Sequence, residues 1–537
     1  MILKLFPNSS LRTINFFDWK LLLLLWLLCV TFTGLGGEYP LNDDWIYSSG
    51  VAALLEGKNI TYLSPVAPNL VLQVLWGWLF CTFGGGFSFV LLRVSTLVLS
   101  SIGLLAFYKL IITLTDSRQV AFAAGLILLA NPIYYNLSFS FMTDIPFMGL
   151  LLVSLWQYAL YFKRNRFIYR IIAATAAIAA FGIRQPGLML WLVAELVILF
   201  DGVRSKKALL VFGLNLLGIF AVYMLMERGL KSTWIGTEYY LQAADATVLN
   251  NPLYGVVELA KRCVMAFFFV GLFALPLLPY TVSTTLSERW WRQSWFIILL
   301  IINVLLVFFL ASVGRIYPYG GYTIYNFGLG TPLLPDFHHW RMRNFPQIPT
   351  AFVMAIGLIL QLHSFILFRI IFESVRNWLL DYKLNKMDYV VILFTIPYAG
   401  IVFYWGFFDR YVLVLFVAVL YVVARICPYL LSLGRTQLIM ITLMLWYASA
   451  GTKDYLSWNE AVKDKKDELL KTETINRSSI TVGYAQDGWD SQGDFDENVP
   501  VFFFSWGEMD GFTTLDTVPY KRLLPGKGIF YFVEKKW

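Results

Sequence analysis

The segment Glu38-Tyr39-Pro40-Leu41-Asn42-Asp43-Asp44-Trp45-Ile46-Tyr47 sets two carboxylates side by side among aromatic rings, directly after the first apolar run. A carboxylate walled by Trp45 and Tyr47 is partly stripped of water, which suits a general base acting on a hydroxyl. Adjacent residues cannot both face one small pocket, so one of the pair serves as base and the other supports it. A plainer reading is that Asp43 or Asp44 caps a helix over residues 45–56. The two are compatible, with Asp44 capping and Asp43 working.

A second candidate is Phe141-Met142-Thr143-Asp144-Ile145-Pro146, at the turn between two apolar runs. Thr143 or Asp144 followed by Pro146 is an ordinary helix start. Its interest lies in sharing a membrane face with Asp43. Cations near that face are few: Arg93 where an apolar run begins, Arg184 with Gln185 in Phe181-Gly182-Ile183-Arg184-Gln185-Pro186, and Arg410 in Phe407-Phe408-Asp409-Arg410-Tyr411. Ionisable groups at a bilayer are costly unless paired or functional, and arginine's fork of donors suits a phosphate. Snorkelling, or for Arg410 a pair with Asp409, is the structural alternative.

Weaker signals are the pair His338-His339 near Asp336, a candidate for a divalent metal, and the run Tyr317, Tyr319, Tyr322, Tyr325. Adjacent histidines seldom share one ion, so a loop surface is the favoured reading of the first. An interfacial belt is favoured for the tyrosines. Asp487-Gly488-Trp489-Asp490 and the acidic stretch 494–497 lack EF-hand spacing and read as loop. No motif demands a cofactor.

These groups need a scaffold, and composition says which. Of 537 residues, 58 % are hydrophobic and 14 % charged, with a mean hydropathy of +0.65; a soluble domain is about one quarter charged. The net charge of +8 comes in short knots between apolar runs, not on one basic face, so a nucleic-acid partner is excluded. Spans of about 20 apolar residues are expected near 19–36, 89–112, 118–137, 146–162, 168–183, 188–200, 208–226, 263–280, 294–312, 350–371, 389–406, 411–426 and 436–451. Residues 69–83, bracketed by Pro65, Pro68 and Gly84-Gly85-Gly86, read as a helix along the surface. With the N-terminus inside, this count puts the knots at 163–166, 204–207, 289–292 and 376–386 in the cytoplasm. It leaves loops 37–88, 227–262, 313–349 and the chain beyond 452 outside. The first run lacks a small-x-small cleavage site and reads as a retained span. Cys29, Cys81, Cys263 and Cys427 read as small core residues.

Residues 453–537 change character: a charged helical stretch from Asp454 to Leu470, then short apolar runs at 479–482, 501–504 and 528–533 between turn-rich segments. The expectation is a small external α+β domain leaning on the bundle. The cytoplasmic loops are too short for a nucleotide-binding domain, and no P-loop or dinucleotide fingerprint is present. A donor substrate must therefore be delivered by the membrane.

The acidic pair after the first span, Leu91-Leu92-Arg93, Thr143-Asp144, and the segments Asp454-Tyr455-Leu456-Ser457-Trp458-Asn459-Glu460-Ala461 and Pro519-Tyr520-Lys521-Arg522-Leu523-Leu524-Pro525 resemble the GT-C glycosyltransferases. The likeness is to the branch of protein O-mannosyltransferases and lipid A aminoarabinose transferases. It implies an all-α polytopic membrane bundle of about 13 transmembrane helices, with a catalytic module over 1–452 and an extracytoplasmic α+β domain over 453–537. It implies a sugar donor on polyprenyl phosphate and a glycolipid, polysaccharide or protein acceptor, in a setting such as the bacterial inner membrane. By resemblance Asp43 is the base, Asp44 the second acid, Arg93 the outer arginine and Asp144 the second-loop acid; from their own placement beside this face, Tyr47, Arg184, Gln185 and Arg410 are expected to line the substrate. Many members carry His or Lys before Pro-Pro-Leu in the first loop. Here Ala67-Pro68-Asn69-Leu70 stands there, and Lys58 or Arg184 would take over. A transporter or flippase for lipid-linked saccharides is the rival, and a non-catalytic assembly protein a third reading.

Overall fold

The computed structural model describes residues 17–60, 70–202, 206–225, 252–312, 322–325, 328–335, 349–381, 384–405, 407–471, 477–491 and 501–536. Apolar sequence runs become helices because a chain in lipid must satisfy its own backbone groups. They are α1 (Trp19–Thr33), α2 (Asp44–Leu55), α3 (Leu72–Phe83), α4 (Phe89–Thr115), α5 (Arg118–Leu129), α6 (Pro132–Ser138), α7 (Asp144–Arg164), α8 (Phe167–Phe181), α9 (Pro186–Gly202) and α10 (Lys206–Met224). There follow α11 (Pro252–Phe273), α12 (Leu278–Ser287), α13 (Ser294–Ser312), α14 (Thr350–Asp381), α15 (Lys386–Trp405), α16 (Asp409–Ile426), α17 (Arg435–Lys471) and α18 (Tyr484–Ser491). Four of the described helices, α4, α7, α14 and α15, are each long and apolar enough to cross a bilayer unaided. Outward-facing Leu24, Leu27, Leu28, Leu217, Phe220, Ile298 and Leu305 are exposed, as side chains meeting lipid are. The chain is a multi-pass membrane protein.

Two expected spans are broken. α5 and α6 meet at 66°, and α11 turns by 63° into the segment Leu275–Ser287. At the first break Pro132 ends one helix, and Asn131 Oδ1 starts the next by accepting from the amides of Ile133 and Tyr134. At the second, the Ala274 carbonyl accepts from the Leu277 amide at 2.7 Å, and the imidazole of His363 on α14 sits 3.0 Å from the same oxygen. A further difference is at α17, which runs unbroken for 37 residues, so the boundary expected at 452 falls inside a helix.

α4 and α7 come into backbone contact at Gly103 and Gly149. A Cβ on Gly103 would lie 2.8 Å from the Gly149 Cα, and one on Gly149 would lie 2.7 Å from the Leu99 carbonyl. Small residues permit this approach.

The C-terminal region forms a four-stranded sheet in the order β3-β4-β6-β5, with β3 (Ile480–Thr481) parallel to β4 (Phe502–Ser505) and β6 (Ile529–Lys535) antiparallel to both β4 and β5 (Phe512–Pro519). A two-residue hairpin, β1 (Ile324–Tyr325) with β2 (Gly328–Leu329), packs on α17. Strand β5 was not anticipated. It is an edge strand, and the side chains of Thr513 to Thr517 are exposed, so it carries no apolar run to betray it. The stretch 487–490, expected as loop, is helical within α18. Tyr322 is buried edge-on against Phe269, Phe407 and Phe408, so it belongs to the core and not to an interfacial belt.

Candidate active site

The loop that follows α1 is held by Arg93. This side chain is fully buried and its guanidinium donates to the carbonyls of Leu35 (2.8 Å), Gly37 (2.7 Å) and Tyr39, while lying 4.6 Å from the Tyr39 ring centroid. The Tyr39 hydroxyl in turn donates to the Leu456 carbonyl of α17 at 2.8 Å. Glu38 accepts from Ser88 Oγ and from the Phe89 amide, closing the N-terminus of α4. Asn42 then takes a left-handed turn at φ 51° and delivers Asp43 to the head of α2.

Asp43 occupies the N-cap position yet makes no side-chain cap. Its two oxygens go elsewhere: Oδ2 lies 3.4 Å from Nη1 of Arg410, and Oδ1 accepts from the Tyr484 hydroxyl at 3.1 Å. The carboxylate keeps about one fifth of its surface open, 20 % against 10 % for Arg410. Thr143 repeats the pattern at the head of α7. It makes no cap but accepts from Nε of Arg184 at 2.8 Å, and Arg184 Nη2 lies 2.9 Å from Asp144 Oδ1. Neither Asp144 oxygen has an aligned hydrogen-bond donor among the described residues. The two ion pairs share one wall, because the Tyr411 ring lies 5.1 Å from the Arg184 guanidinium and 5.6 Å from that of Arg410. Tyr47 lies within reach of the charges of all four residues, Asp43, Arg410, Arg184 and Asp144.

Asp44 sits behind this wall. It is 1 % exposed, and burial pushes its carboxyl up to about 7, against the pull of Arg93 and of the amides of Phe141 and Leu41, with Asp43 adding to the rise. Of the adjacent pair, Asp43 is the more open. Arg410 does not pair with Asp409, the partner that adjacency suggested; Asp409 accepts from the amides of Ile324 and Arg410, both at 2.8 Å.

The structure therefore gathers Asp43, Asp144, Arg184, Arg410 and Tyr47. It does not bring in Lys58, whose exposed side chain pairs with Glu56, nor Gln185, which is exposed on the turn before α9. Arg93 faces loop carbonyls, away from the wall. Sequence reasoning missed Tyr411 and Tyr484; the first was quoted beside Arg410, whereas nothing local marks the second. Asp336, His338, His339, Tyr317, Tyr319 and the stretch 494–497 lie outside the described residues. Among the described residues no three His, Cys, Asp or Glu side chains group as a metal site. Asp43 and Asp144 are each matched by an arginine, a donor set that does not suit a cation.

No protein-family model matches the chain, and no curated protein matches its sequence. Among solved structures, ArnT from Cupriavidus metallidurans in the apo state aligns at 12 % identity over 85 % of this chain and 80 % of that one, with a TM-score of 0.35. The same protein bound to undecaprenyl phosphate aligns over 88 % and 83 %, again at 12 % and 0.35. The archaeal oligosaccharyltransferase AglB from Archaeoglobus fulgidus, in complex with an inhibitory peptide and a dolichol-phosphate, aligns at 14 % identity over 81 % of this chain but 55 % of its own, with a TM-score of 0.40.

Proposed function

We propose that this chain is an inverting membrane glycosyltransferase that moves a sugar from a polyprenyl-phosphate donor to an acceptor hydroxyl on the extracytoplasmic side. The observation that carries the reading is the convergence of Asp43, Arg410, Arg184 and Asp144 on one wall, from four distant segments. Asp43 removes the proton from the acceptor hydroxyl as its oxygen attacks the anomeric carbon. The bond from that carbon to the phosphate oxygen breaks, and the charge leaves with polyprenyl phosphate, where Arg410 and Arg184 receive it. Each arginine is held by a carboxylate before substrate arrives, so it is aimed in advance and its charge is compensated. An arriving phosphate competes with Asp43 for Arg410 and leaves the carboxylate to the acceptor.

The resemblance of the Asp43-Asp44, Arg93 and Thr143-Asp144 segments to GT-C glycosyltransferases accords with this chemistry. It also suggests a bacterial inner membrane and a glycolipid, polysaccharide or protein acceptor, while the charge pattern of the loops favours a cytoplasmic N-terminus. In this reading 1–452 is the catalytic module and 453–537 an extracytoplasmic domain.

The test is to supply reconstituted protein with radiolabelled polyprenyl-phosphate sugar and envelope glycolipid, polysaccharide and protein acceptors. Transfer releases free polyprenyl phosphate and labels one acceptor. Label that crosses the bilayer still joined to its lipid would instead identify a flippase.

A further inference from the structure

We infer that Tyr484, in the C-terminal domain, is a positioning residue for Asp43, so that this domain completes the active site. The inference rests on the proposed transferase reading, and it concerns a residue more than four hundred positions downstream of the carboxylate it holds.

Tyr484 is placed by anchors on both sides of it. It opens α18, and its amide donates to the Leu333 carbonyl at 3.1 Å. The turn before it is tied by Asp487, whose carboxylate accepts from the amides of Val482 (3.1 Å) and Gly483 (2.9 Å) and from the Thr481 hydroxyl. Gly483 adopts φ 115°, a conformation open to glycine, and a Cβ there would press on the Leu333 carbonyl. Arg477 backs Asp487 and Asp490, and Lys466 of α17 lies 3.1 Å from Asp490, fixing α18 to the long helix. One turn further along, Gly488 lies so close to Trp45 of α2 that any Cβ would strike the indole. The Tyr484 and Trp45 rings meet edge to face at 5.9 Å. α18 is thus seated on α2, and its first residue reaches the carboxylate at the head of that helix.

The consequence is geometric. Asp43 is held at both oxygens, Oδ2 by Arg410 and Oδ1 by Tyr484. A phosphate that engages Arg410 removes the first hold. Tyr484 then alone fixes the carboxylate plane while the free oxygen takes the acceptor proton. A base misplaced by an ångström can lose about a hundredfold in rate, so a single well-anchored donor matters most during the chemical step.

Tyr484→Phe keeps the ring on Trp45 and deletes only the hydroxyl. With turnover normalised to the monodisperse fraction, the expected result is a kcat reduced about tenfold with the donor KM unchanged. Combined with Asp43→Asn, Tyr484→Phe should reduce kcat no further, because it acts through the carboxylate. Wild-type kcat in Tyr484→Phe, or an effect that multiplies with Asp43→Asn, overturns the inference while leaving the transferase reading intact. A wild-type protein without transfer activity overturns both. If Tyr484→Phe yields no folded protein, Tyr484→Leu, which also lacks the donor, is measured in its place against the same two criteria.

Discussion

Arg410 Nη1 lies 3.4 Å from Asp43 Oδ2, joining two residues 367 positions apart at the heads of α16 and α2. Nothing in either local sequence requires this pair, and Asp409, the nearer carboxylate, is engaged by backbone amides. Arg410 should therefore belong to the substrate site. Arg410→Lys keeps the charge but loses the fork, and we expect the donor KM to rise about tenfold, a change of about 1.4 kcal/mol in binding. Lys58→Ala, at the exposed pair with Glu56, should leave KM within twofold. Steady-state kinetics over a range of donor concentrations checks both, and a larger effect from Lys58 would reverse the assignment.

Arg184 and Asp144 form the second, more buried pair, with side-chain exposures of 19 % and 4 %. Removing one partner leaves the other's charge poorly compensated, which typically costs about 3–5 kcal/mol for buried pairs. Arg184→Met should thus lower the thermal midpoint in detergent strongly. The double variant Arg184→Met with Asp144→Leu should recover stability without recovering activity. A double variant no more stable than the single one would show that the pair is not coupled.

The fully buried Arg93 predicts a stability defect of another kind. Arg93→Met removes the donors to the carbonyls of Leu35, Gly37 and Tyr39, and should cost roughly 3 kcal/mol or more, since hydrogen bonds to charged groups contribute about 1.5–3 kcal/mol each. The donor KM of the surviving folded fraction should be unchanged. A raised KM with unchanged thermal stability would instead make Arg93 a substrate ligand.

Asp44 makes stability depend on pH. Its carboxyl is raised from an ordinary 3.8 to about 7 by burial, so the folded state holds a proton that the unfolded chain releases. The corresponding contribution is fully present below about pH 4, declines as pH rises toward 7, and is flat above that. Asp44→Asn should flatten the fall in thermal midpoint between pH 5 and 7. An unchanged slope in that variant would remove Asp44 as its source.

The bundle was legible because lipid imposes a long apolar run on every span, and helices lie at all the expected places. The breaks at Pro132 and just past α11, where Pro276 lies in a short 3-10 turn, were not, because hydropathy averages over the turn while a proline acts at one peptide bond. At the site, Asp43, Asp144, Arg184 and Arg410 stood out as charges beside a membrane, a rare and costly placement. Which of them meet was not readable, since adjacency favoured Asp409 for Arg410 and capping for Thr143. Arg93 and Asp44 show the opposite limit. Their residue types fit catalysis, and only the structure reveals how deeply both are buried, with Arg93 bonded to the loop carbonyls. Tyr484 is one tyrosine among 30, and its place beside Asp43 comes from the docking of α18 on α2.

Asp43→Asn tests the account most directly, measured as single-turnover release of polyprenyl phosphate from labelled donor by folded, reconstituted protein. The exchange is nearly isosteric and keeps an oxygen for Tyr484, but amide nitrogen and oxygen cannot take a proton as a carboxylate does. The account predicts a rate lowered about 100- to 10,000-fold with donor still bound. Release at the wild-type rate would contradict it.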